Sequence, residues 1–576
     1  MSGISPTSMP YTVAFTMRFL MAVSFRCLVI VGSPLKSERI IPSHLSPEHY
    51  MERDCGPTIT TGWRLSCDLS CQGKTRGPCK LARGVSFSGM NELIDNTNSL
   101  HTCSVDEDDR VRLGRRAWFI ECARRALCSL GLKAFLAAAL GLSVSCPARG
   151  AEPPAPSHWT IIHAGMLLSD ARTDPQPKMS ILVKDDTITA IRDGYVGAEA
   201  IPAPKPEHVK MVELQNQFVM AGMVDAHTHI VFPNLDVAIG LFNVGLMLRG
   251  GATTVRDAGS SPEAIFPLRD AIVEGSILGP RIMASGSPLS ITGGHADFRN
   301  GKLQDELSPP AYSSAVCDVV NECEKATRKQ IQFGADQVKV MASGGVSDDS
   351  DTGLGPAFSE AELKAIVVTA HRMHRTVMAH ALSAESIEAA VDAGVDSVEH
   401  GDFLNEEVAR LMAQHHVFFD PTLYSLVALQ NAIDHPTPSI PMTEKNIRKF
   451  RTMMATAPRI AERMALAKRF GLAILAGSDN GGIITDEVVA LVEQGHLSPR
   501  EALVASTVNG ADALHLSGQI GTLAPGKSAD VIAFDGNPLT NIEDCHKLHF
   551  VMARGHVAVS PDTGEGDPTP ASTLPK

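Results

Sequence analysis

Aromatic residues and basic charge are both scarce in this chain of 576 residues. Phe, Trp and Tyr together make up 5% of it, and 64 acidic residues outnumber 51 Lys and Arg. The resulting formal charge of −13 argues against a basic surface of the kind that binds nucleic acid. We therefore expect no nucleic-acid partner.

Cysteine is nearly absent from the larger part of the chain. Of twelve cysteines, only Cys317, Cys323 and Cys545 follow Cys146, so the body is not built on a disulfide framework. The first 150 residues also hold 18 Lys and Arg against 12 Asp and Glu, a net +6, which leaves −19 for the remaining 426 residues. The N-terminal stretch is therefore a different kind of sequence from the body.

The segment from about residue 115 to 150 has the anatomy of a secretory signal peptide, with an apolar run at 134–144 and small residues before Ala151. We predict that translation begins well downstream of Met1, and that residues 1–115 are disordered if they are translated. We also predict a secreted or periplasmic protein with no stable membrane partner after processing. The alternative is a true N-terminal domain in which the apolar run is a membrane anchor or a buried helix. If the segment is not a signal peptide, we expect a cytoplasmic protein. The basic start of the segment is formed by Arg115, Arg116, Arg124 and Arg125.

The body alternates short apolar runs with amphipathic helical stretches. Eight such βα units predict an α/β fold, a (β/α)8 TIM barrel over 221–505. A doubly wound open sheet would show the same alternation, but the count of eight favours the barrel. Segments rich in β-strand patterns, 151–220 and 506–576, predict a small β-sandwich domain built from both chain ends. The candidate barrel strands are 219–227, 253–258, 281–285, 337–343, 377–380, 397–400, 418–422 and 472–479.

Side chains able to bind metal occur at the ends of five of these strands. In V-D-A-H-T-H the two histidines are two residues apart, so they lie on the same face of a strand. A lone buried histidine is more often a satisfied core residue, but six such groups at corresponding strand ends, where barrels carry their active sites, predict a metal centre. The six are His227, His229, Lys339, His380, His400 and Asp479.

Residue chemistry suggests a role for each group. Histidine and carboxylate ligands suit Zn²⁺ or a similar divalent ion, and we predict one ion on His227 and His229 and a second on His380 and His400. An ammonium is costly in an apolar strand unless it is paired or modified, and carboxylation by CO2 would turn Lys339 into an anion that bridges the two ions. Asp479 would ligate the first ion and take the proton from a bridging water. The predicted reaction is metal-assisted hydrolysis of an amide, ester or cyclic amide.

From about Thr160 to Val559 the chain resembles the amidohydrolase superfamily. The motifs D-A-H-T-H, V-K-V-M-A-S-G-G, M-A-H-A, V-E-H-G and A-G-S-D occur in that order. The second of them, following S-I-T-G-G-H-A-D, is similar to the imidazolonepropionase-related branch of Xaa-Pro and Xaa-Arg dipeptidases and ochratoxin-hydrolysing amidases. The resemblance implies a barrel with a flanking β-sandwich, two metal ions, carboxylated Lys339 and Asp479 as general acid/base. Imidazolonepropionase itself lacks the bridging lysine, so Lys339 argues against that activity.

Three further residues are candidates for substrate contacts. His295 in G-G-H-A-D would polarise the scissile carbonyl, as a catalytic residue, or meet a substrate carboxylate; otherwise it is a loop histidine. Tyr424 in D-P-T-L-Y would contact a C-terminal carboxylate, or else pack in the core. Arg256 in T-V-R-D-A would clamp a carboxylate, or simply pair with Asp257.

The leading interpretation is a metal-dependent dipeptidase or carboxypeptidase-like amidase acting on a dipeptide or other small molecule. One alternative is a cyclic-amidase or deaminase on the same barrel, and another is an inactive barrel that serves as a binding protein. The presence of all six candidate ligands argues against the inactive barrel. The substrate side chain is not determined by a fold, and only the resemblance suggests a homo-oligomer.

Overall fold

The computed structural model describes residues 157–560 except 204–205, 207, 232–236, 298, 301–314, 348–352, 436–442 and 480–482. The predicted N-terminal extension, residues 1–150 with its signal-peptide-like segment, lies outside the described residues. In the part of the chain that the structure describes, every helix is too short or too polar to cross a membrane.

A seven-stranded mixed sheet takes its strands from both ends of the described chain. The N-terminal strands are β1 (Trp159–Leu168), β2 (Gln176–Lys184), β3 (Thr187–Asp193) and β4 (Val209–Ala221). The C-terminal strands are β12 (Val531–Phe534), β13 (Leu548–Ala553) and β14 (His556–Val559). Their order in the sheet is β14-β13-β12-β4-β1-β2-β3, with β12 antiparallel to β4. The predicted β-sandwich is not confirmed, because these strands form a single sheet.

The middle of the chain contains seven parallel strands in two sheets. The first sheet consists of β5 (Met223–Thr228), β6 (Ala252–Asp257) and β7 (Arg281–Ala284). The second consists of β8 (Val338–Met341), β9 (Val377–Ala381), β10 (Ser397–His400) and β11 (Phe418–Asp420). These strands coincide with seven of the eight expected from the sequence, and together with the helices they confirm the α/β class.

The prediction of a regular eighth strand over residues 472–479 is wrong. Only Ile474 has β-bridge geometry, opposite Phe419 of β11. Gly477 lies so close to β5 that an added Cβ would come within 2.4 Å of the His227 Cβ, and Asp479 has a left-handed φ of 50°. The close approach at position 477 requires a glycine, and the left-handed Asp479 ends the extended backbone; the described strands do not form one closed ring.

The segment 472–479 nevertheless lies between β11 and β5. Leu475 N donates to Phe419 O at 2.8 Å, and on the other side Asp479 N donates to His227 O at 2.7 Å. These hydrogen bonds place Asp479 next to the end of β5.

Helices separate most of the parallel strands. A predicted capping box begins α4: the Ser359 hydroxyl accepts from Glu362 N, and the Glu362 carboxylate accepts from Ser359 N. The helices are α1 (Val237–Arg249), α2 (Pro262–Val273), α3 (Val320–Phe333), α4 (Glu360–Arg372), α5 (Ala384–Ala393), α6 (Glu406–His415), α7 (Leu423–Asp434), α8 (Glu444–Thr456), α9 (Ile460–Phe470), α10 (Ile484–Glu493), α11 (Pro499–Val504) and α12 (Gly510–Ala513). A π-helical turn spans Ala505–Asn509, and 3₁₀ turns span Ala198–Ala200 and Ile542–His546.

Alternation along the strands separates the apolar core from the polar groups. In β8, Val338 and Val340 belong to the main apolar core, and Lys339 between them points to the opposite face. In β9, Ala379 and Ala381 belong to that core and His380 points away from it. The period of two thus directs these polar side chains to the inner face of the parallel strands.

Candidate metal centre

The six predicted ligands lie together, in or just after the parallel strands, with His229 directly following β5 and Asp479 in the irregular segment 472–479. His227 belongs to β5, Lys339 to β8 and His380 to β9, and His400 is the last residue of β10. Each side chain is within a few ångströms of at least one other member, although the chain separates them by up to 252 residues (His227 to Asp479). The arrangement therefore joins ends of strands from both parallel sheets.

One group of ligand atoms comprises His227, His229 and Asp479. The Asp479 Oδ1 lies 3.4 Å from His229 Nε2 and 3.9 Å from His227 Nε2. The ligand atoms of the three residues all lie within 4.8 Å of one another. Two imidazoles and a carboxylate at this spacing suit a single divalent ion of the zinc type.

The remaining predicted ligands adjoin this group. The ring centroids of His380 and His400 are 4.6 Å apart, and those of His227 and His400 are 5.1 Å apart. The Lys339 Nζ lies 3.4 Å from His227 Nε2 and is fully buried. Lys339 therefore stands beside the first group, where an anion attached to its Nζ could reach both groups.

Neighbouring groups hold the imidazoles in defined orientations. His229 Nδ1 is 2.8 Å from Gly259 O, and His400 Nδ1 is 2.7 Å from the Thr422 hydroxyl. His380 differs, because its Nε2 is the atom that contacts a carbonyl, Gly344 O at 3.1 Å. The nitrogen opposite each contact is the one available to a metal, which is Nε2 for His229 and His400 and Nδ1 for His380.

Glu399 is a functional residue that the sequence analysis missed. Its carboxylate is completely buried, 2.9 Å from His227 Nδ1, and accepts two hydrogen bonds from Arg256 Nη2 at 2.9 and 3.1 Å. Burial alone would raise the pKa of Glu399, but Arg256 and His227 lower it below its usual value. An ionised carboxylate behind a ligating histidine fixes the ring and increases its basicity. The available signal was an acid in the apolar run of V-E-H-G.

The structure corrects the proposed role of Arg256. Its guanidinium is 3% exposed, and it donates to Glu399, to the Ser397 hydroxyl at 3.0 Å and to the Ala226 carbonyl. It pairs with Glu399 rather than with Asp257, the partner that adjacency in the sequence suggested. Because its N–H groups donate to Glu399, Ser397 and Ala226, Arg256 holds the residues behind His227 in place. It is not placed to clamp a substrate carboxylate.

Asp420 is a second buried acid beneath the site. Its Oδ2 is 3.6 Å from Arg256 Nη2, and neither of its oxygens has a hydrogen-bond partner among the described residues. Burial and the neighbouring Glu399 raise the pKa of Asp420 well above its ordinary value. This shift follows from two buried carboxyl groups sharing one arginine.

The environment favours the neutral forms of most of the basic ligands. Burial and the adjacent Lys339 lower the pKa of His227 to about 4, and burial and neighbouring charges lower the pKa of His380 and His400. Burial, partly offset by Glu399 and Asp479, lowers the pKa of Lys339 to about 8. Neutral imidazoles bind metal, and a neutral amine is the form that reacts with CO2.

His229 and Asp479 titrate in the opposite sense, as an ion pair. Burial would lower the pKa of His229, but its contact with Asp479 raises it overall. Burial would raise the pKa of Asp479, but His227, His229 and His400 lower it well below its usual value. Asp479 is therefore a carboxylate at neutral pH, as a metal ligand requires.

The two predicted substrate contacts differ in their placement. The His295 ring lies beside the centre, 4.5 Å from the His380 ring. Burial together with the acid Asp486 raises the pKa of Tyr424 to about 12. The contact of Tyr424 with a substrate carboxylate stays a prediction.

Thr422 is an additional residue that positions His400. It has a left-handed backbone, φ 44° and ψ 51°, which is rare for a β-branched residue. Its hydroxyl contacts His400 and does not cap α7; instead the Glu487 carboxylate caps that helix by accepting from Leu423 N and Tyr424 N at 3.1 and 2.7 Å. The strained conformation thus directs a hydroxyl to a predicted ligand.

We expect Thr422→Val to weaken metal binding about 10- to 100-fold, because His400 loses the partner of its Nδ1. Metal content at buffered free-metal concentrations measures the effect. Thr422→Ser, which keeps the hydroxyl, is the matched control and should bind metal like the wild type. Equal metal content in the valine and serine variants would contradict this role.

Comparison with known proteins places these residues in context. A model of the amidohydrolase family matches residues 218–558. Ochratoxinase from Aspergillus niger is 32% identical over 420 residues, which is 67% of this chain and 82% of that protein. A solved Xaa-Pro dipeptidase with bound methionine has a TM-score of 0.61 and 29% identity, covering 69% of this chain and 99% of its own. A prolidase solved with N-methylphosphonate-L-proline has a TM-score of 0.61 and 30% identity, with the same coverage.

Proposed function

Since the chain belongs to the amidohydrolase family, we propose that it hydrolyses the amide bond of dipeptides or N-acyl amino acids. The reaction class is metal-dependent hydrolysis of a carbon–nitrogen bond, as in the ochratoxinase and prolidase relatives. One observation carries the proposal: the Lys339 Nζ and the Asp479 carboxylate both lie within 4 Å of the same His227 nitrogen. That juxtaposition is what a lysine-bridged pair of ions needs.

The donor set fits two divalent ions, and we propose Zn²⁺. His227, His229 and Asp479 would hold the first ion and His380 and His400 the second, with carboxylated Lys339 between them. The fit is supported by the buried imidazoles and by the orientation of their nitrogens. When bound, the ions would polarise the scissile carbonyl and acidify a water molecule.

Asp479 would hold and move the proton in this reaction. Its carboxylate is ionised and adjoins His227 and His229, so it can accept the proton of the attacking water and return it to the leaving nitrogen. His295, beside His380, would contact the carbonyl or carboxylate of the substrate. Glu399 and Arg256 would keep His227 in place throughout.

We also propose that the parallel strands correspond to the TIM barrel of the family, closed by less regular segments. The segment 472–479 hydrogen-bonds to both β11 and β5, and Leu289 forms a bridge to Val340 of β8. These contacts support closure on both sides of the three-stranded sheet. In such a barrel the predicted ligands occupy the carboxyl-terminal end, where catalytic residues are found.

Metal analysis and a substrate screen test the proposed function. We expect about two zinc ions per chain by mass spectrometry, and release of the free amino acid from dipeptides and N-acyl amino acids carrying a terminal carboxylate. The matched control substrates are the same compounds with that carboxylate amidated. Hydrolysis of cyclic amides only, or no hydrolysis by metal-loaded protein, would refute the proposal.

We expect Gly345→Ala to lower kcat/KM about 100-fold with unchanged metal content, because displacement of a substrate-positioning group is costly. A Cβ at Gly345 would come within 2.5 to 2.6 Å of three atoms of the His295 ring and displace it. Steady-state kinetics and metal analysis measure the effect. Gly355→Ala is the control, since its Cβ would meet nothing within 4 Å. Wild-type kinetics in Gly345→Ala would argue against a role for His295.

We propose that the protein is exported to the periplasm or cell exterior through the segment at about 115–150. The buried Cys317–Cys323 disulfide supports this, because disulfides persist mainly in oxidising compartments. N-terminal sequencing of protein purified from the native host tests the proposal. We expect a start near Ala151, whereas a start near Met1 would contradict it.

A further inference from the structure

A single disulfide occurs among the described residues, and it lies close in the chain to the predicted substrate loop. Cys317 and Cys323, six residues apart, are joined and buried. Cys323 is in the first turn of α3, whose N-cap, Val319, makes no side-chain capping hydrogen bond. The disulfide therefore ties the residues before α3 to the helix covalently, at an end that lacks an ordinary cap.

The residues before α3 hold the start of the loop that carries His295. Ser290 N donates to Ala315 O at 3.1 Å, and Cys317 N donates to Ser290 O at 2.9 Å. Next to these bonds, the Asp318 carboxylate accepts from Thr292 N at 2.8 Å and from the Thr292 hydroxyl at 2.6 Å. Four hydrogen bonds thus connect the disulfide-bonded segment to residues 290–292.

Hydrogen bonds within the loop 290–297 link Ser290 to His295. The Ser290 hydroxyl donates to His295 O at 2.6 Å. Gly293 N donates to the Asp297 carboxylate at 2.9 Å, which folds residues 293–297 back on themselves. The His295 ring then lies 4.5 Å from the ring of His380. One disulfide and two hydrogen bonds therefore connect α3 to the backbone of His295, whose ring contacts that of His380.

We propose that the Cys317–Cys323 disulfide is a positioning clamp that holds His295 in place for substrate binding. The inference rests on the proposed function in one respect, the contact of His295 with substrate. Apart from the disulfide, residues 315–318 are joined to α3 by the backbone, by packing of Ala315 and Cys317 in the main core, and by a hydrogen bond from Asp318 N to the Glu322 carboxylate. The loop would then sample more conformations, and substrate binding would bear the entropic cost.

The test is a Cys317→Ala/Cys323→Ala double variant of the full chain, with Cys545→Ala as the matched control. Cys545 is buried and free of disulfides, so the control removes a thiol of similar burial elsewhere. We expect KM for the amide substrate to rise about 10- to 100-fold in the double variant, while kcat changes less and metal content stays at the wild-type level. The control should match the wild type in all three.

Hydrogen exchange provides a readout that is independent of activity. We expect the amides of residues 290–297 to exchange faster in the double variant, with exchange in α10 unchanged. If the double variant does not fold, the same measurement is made on wild type treated with a dithiol. The dithiol donates two electrons and two protons to the disulfide, giving two thiols, and becomes a cyclic disulfide.

The outcomes separate the two proposals. Unchanged exchange at 290–297 together with an unchanged KM would overturn the clamp, as would finding no linked Cys317–Cys323 peptide in a non-reducing digest. Faster exchange in protein whose wild type hydrolyses no amide would support the clamp and refute the proposed function. Loss of metal from the double variant would also overturn the clamp, because the disulfide would then support the whole centre.

Discussion

Replacing Lys339 with alanine is expected to remove most of the bound metal and to lower kcat/KM by at least about 10³-fold, the equivalent of several kcal/mol of lost transition-state stabilisation. The Lys339 Nζ is completely buried and lies 3.4 Å from His227 Nε2, so its loss leaves nothing between the two groups of ligands. Metal analysis and kinetics of wild type and variant measure the effect.

A matched control and a spectroscopic measurement sharpen this prediction. Lys325→Ala removes an exposed lysine from α3 and should change neither metal content nor activity. Wild type prepared in ¹³C-labelled bicarbonate should give a carbamate carbon signal that is missing from Lys339→Ala. One ion per chain regardless of Lys339 would contradict the bridge and favour a deaminase or lactam-hydrolysing enzyme.

Replacing Glu399 with glutamine is expected to lower the free energy of unfolding by about 3 to 5 kcal/mol, because the change leaves Arg256 buried without its partner. The same substitution removes the carboxylate behind His227 Nδ1, so metal affinity should fall about 10- to 100-fold. Denaturant unfolding of metal-free protein separates the loss of stability from the loss of metal binding.

The ion pair between Glu399 and Arg256 can be tested with a double-mutant cycle. Arg256→Met alone should also destabilise the protein, and the double variant should lose much less than the sum of the single losses. Glu324→Gln, in the exposed ion pair with Arg328 on α3, is the control and should cost about 0.5 kcal/mol or less. Additive losses in the cycle would contradict a coupled buried pair.

The contribution of ionised Glu399 to the free energy of unfolding should decrease as the pH falls. The pKa of Glu399 is lower in the folded protein than its ordinary value of 4.5. Its stabilising contribution is therefore complete above that value and is lost as the pH falls toward the lower folded pKa. Wild type should lose stability over this acidic range, and Glu399→Gln should lose less over the same range.

Periodicity and strand ends allowed much of the site to be predicted. The two-residue period separates Lys339 from Val338 and Val340, and it predicted His227 and His229 side by side although β5 ends at Thr228, between them. Seven of eight predicted strands were confirmed because their apolar runs are short and bounded by helical stretches. The eighth was wrong as a regular strand, since only Ile474 of that segment has bridge geometry and the left-handed Asp479 ends the extended backbone.

Contacts between distant residues could not be predicted in this way. Glu399 and Arg256 are 143 residues apart, and nothing near either one indicates the other. The sequence suggested Asp257 as the partner of Arg256 because it is adjacent, yet adjacent residues of a strand point to opposite faces. The acid that raises the pKa of Tyr424, Asp486, likewise lies 62 residues later in the chain.

The sequence by itself determined which side chains line the inner face at the carboxyl ends of the strands, because that choice depends only on local periodicity and strand boundaries. Tertiary structure alone decided which nitrogen of each imidazole faces the centre, which acid stands behind His227, and which disulfide-bonded segment holds the His295 loop. Those features depend on atoms of separate strands and loops approaching within hydrogen-bond distance, and a linear pattern carries no information about such distances.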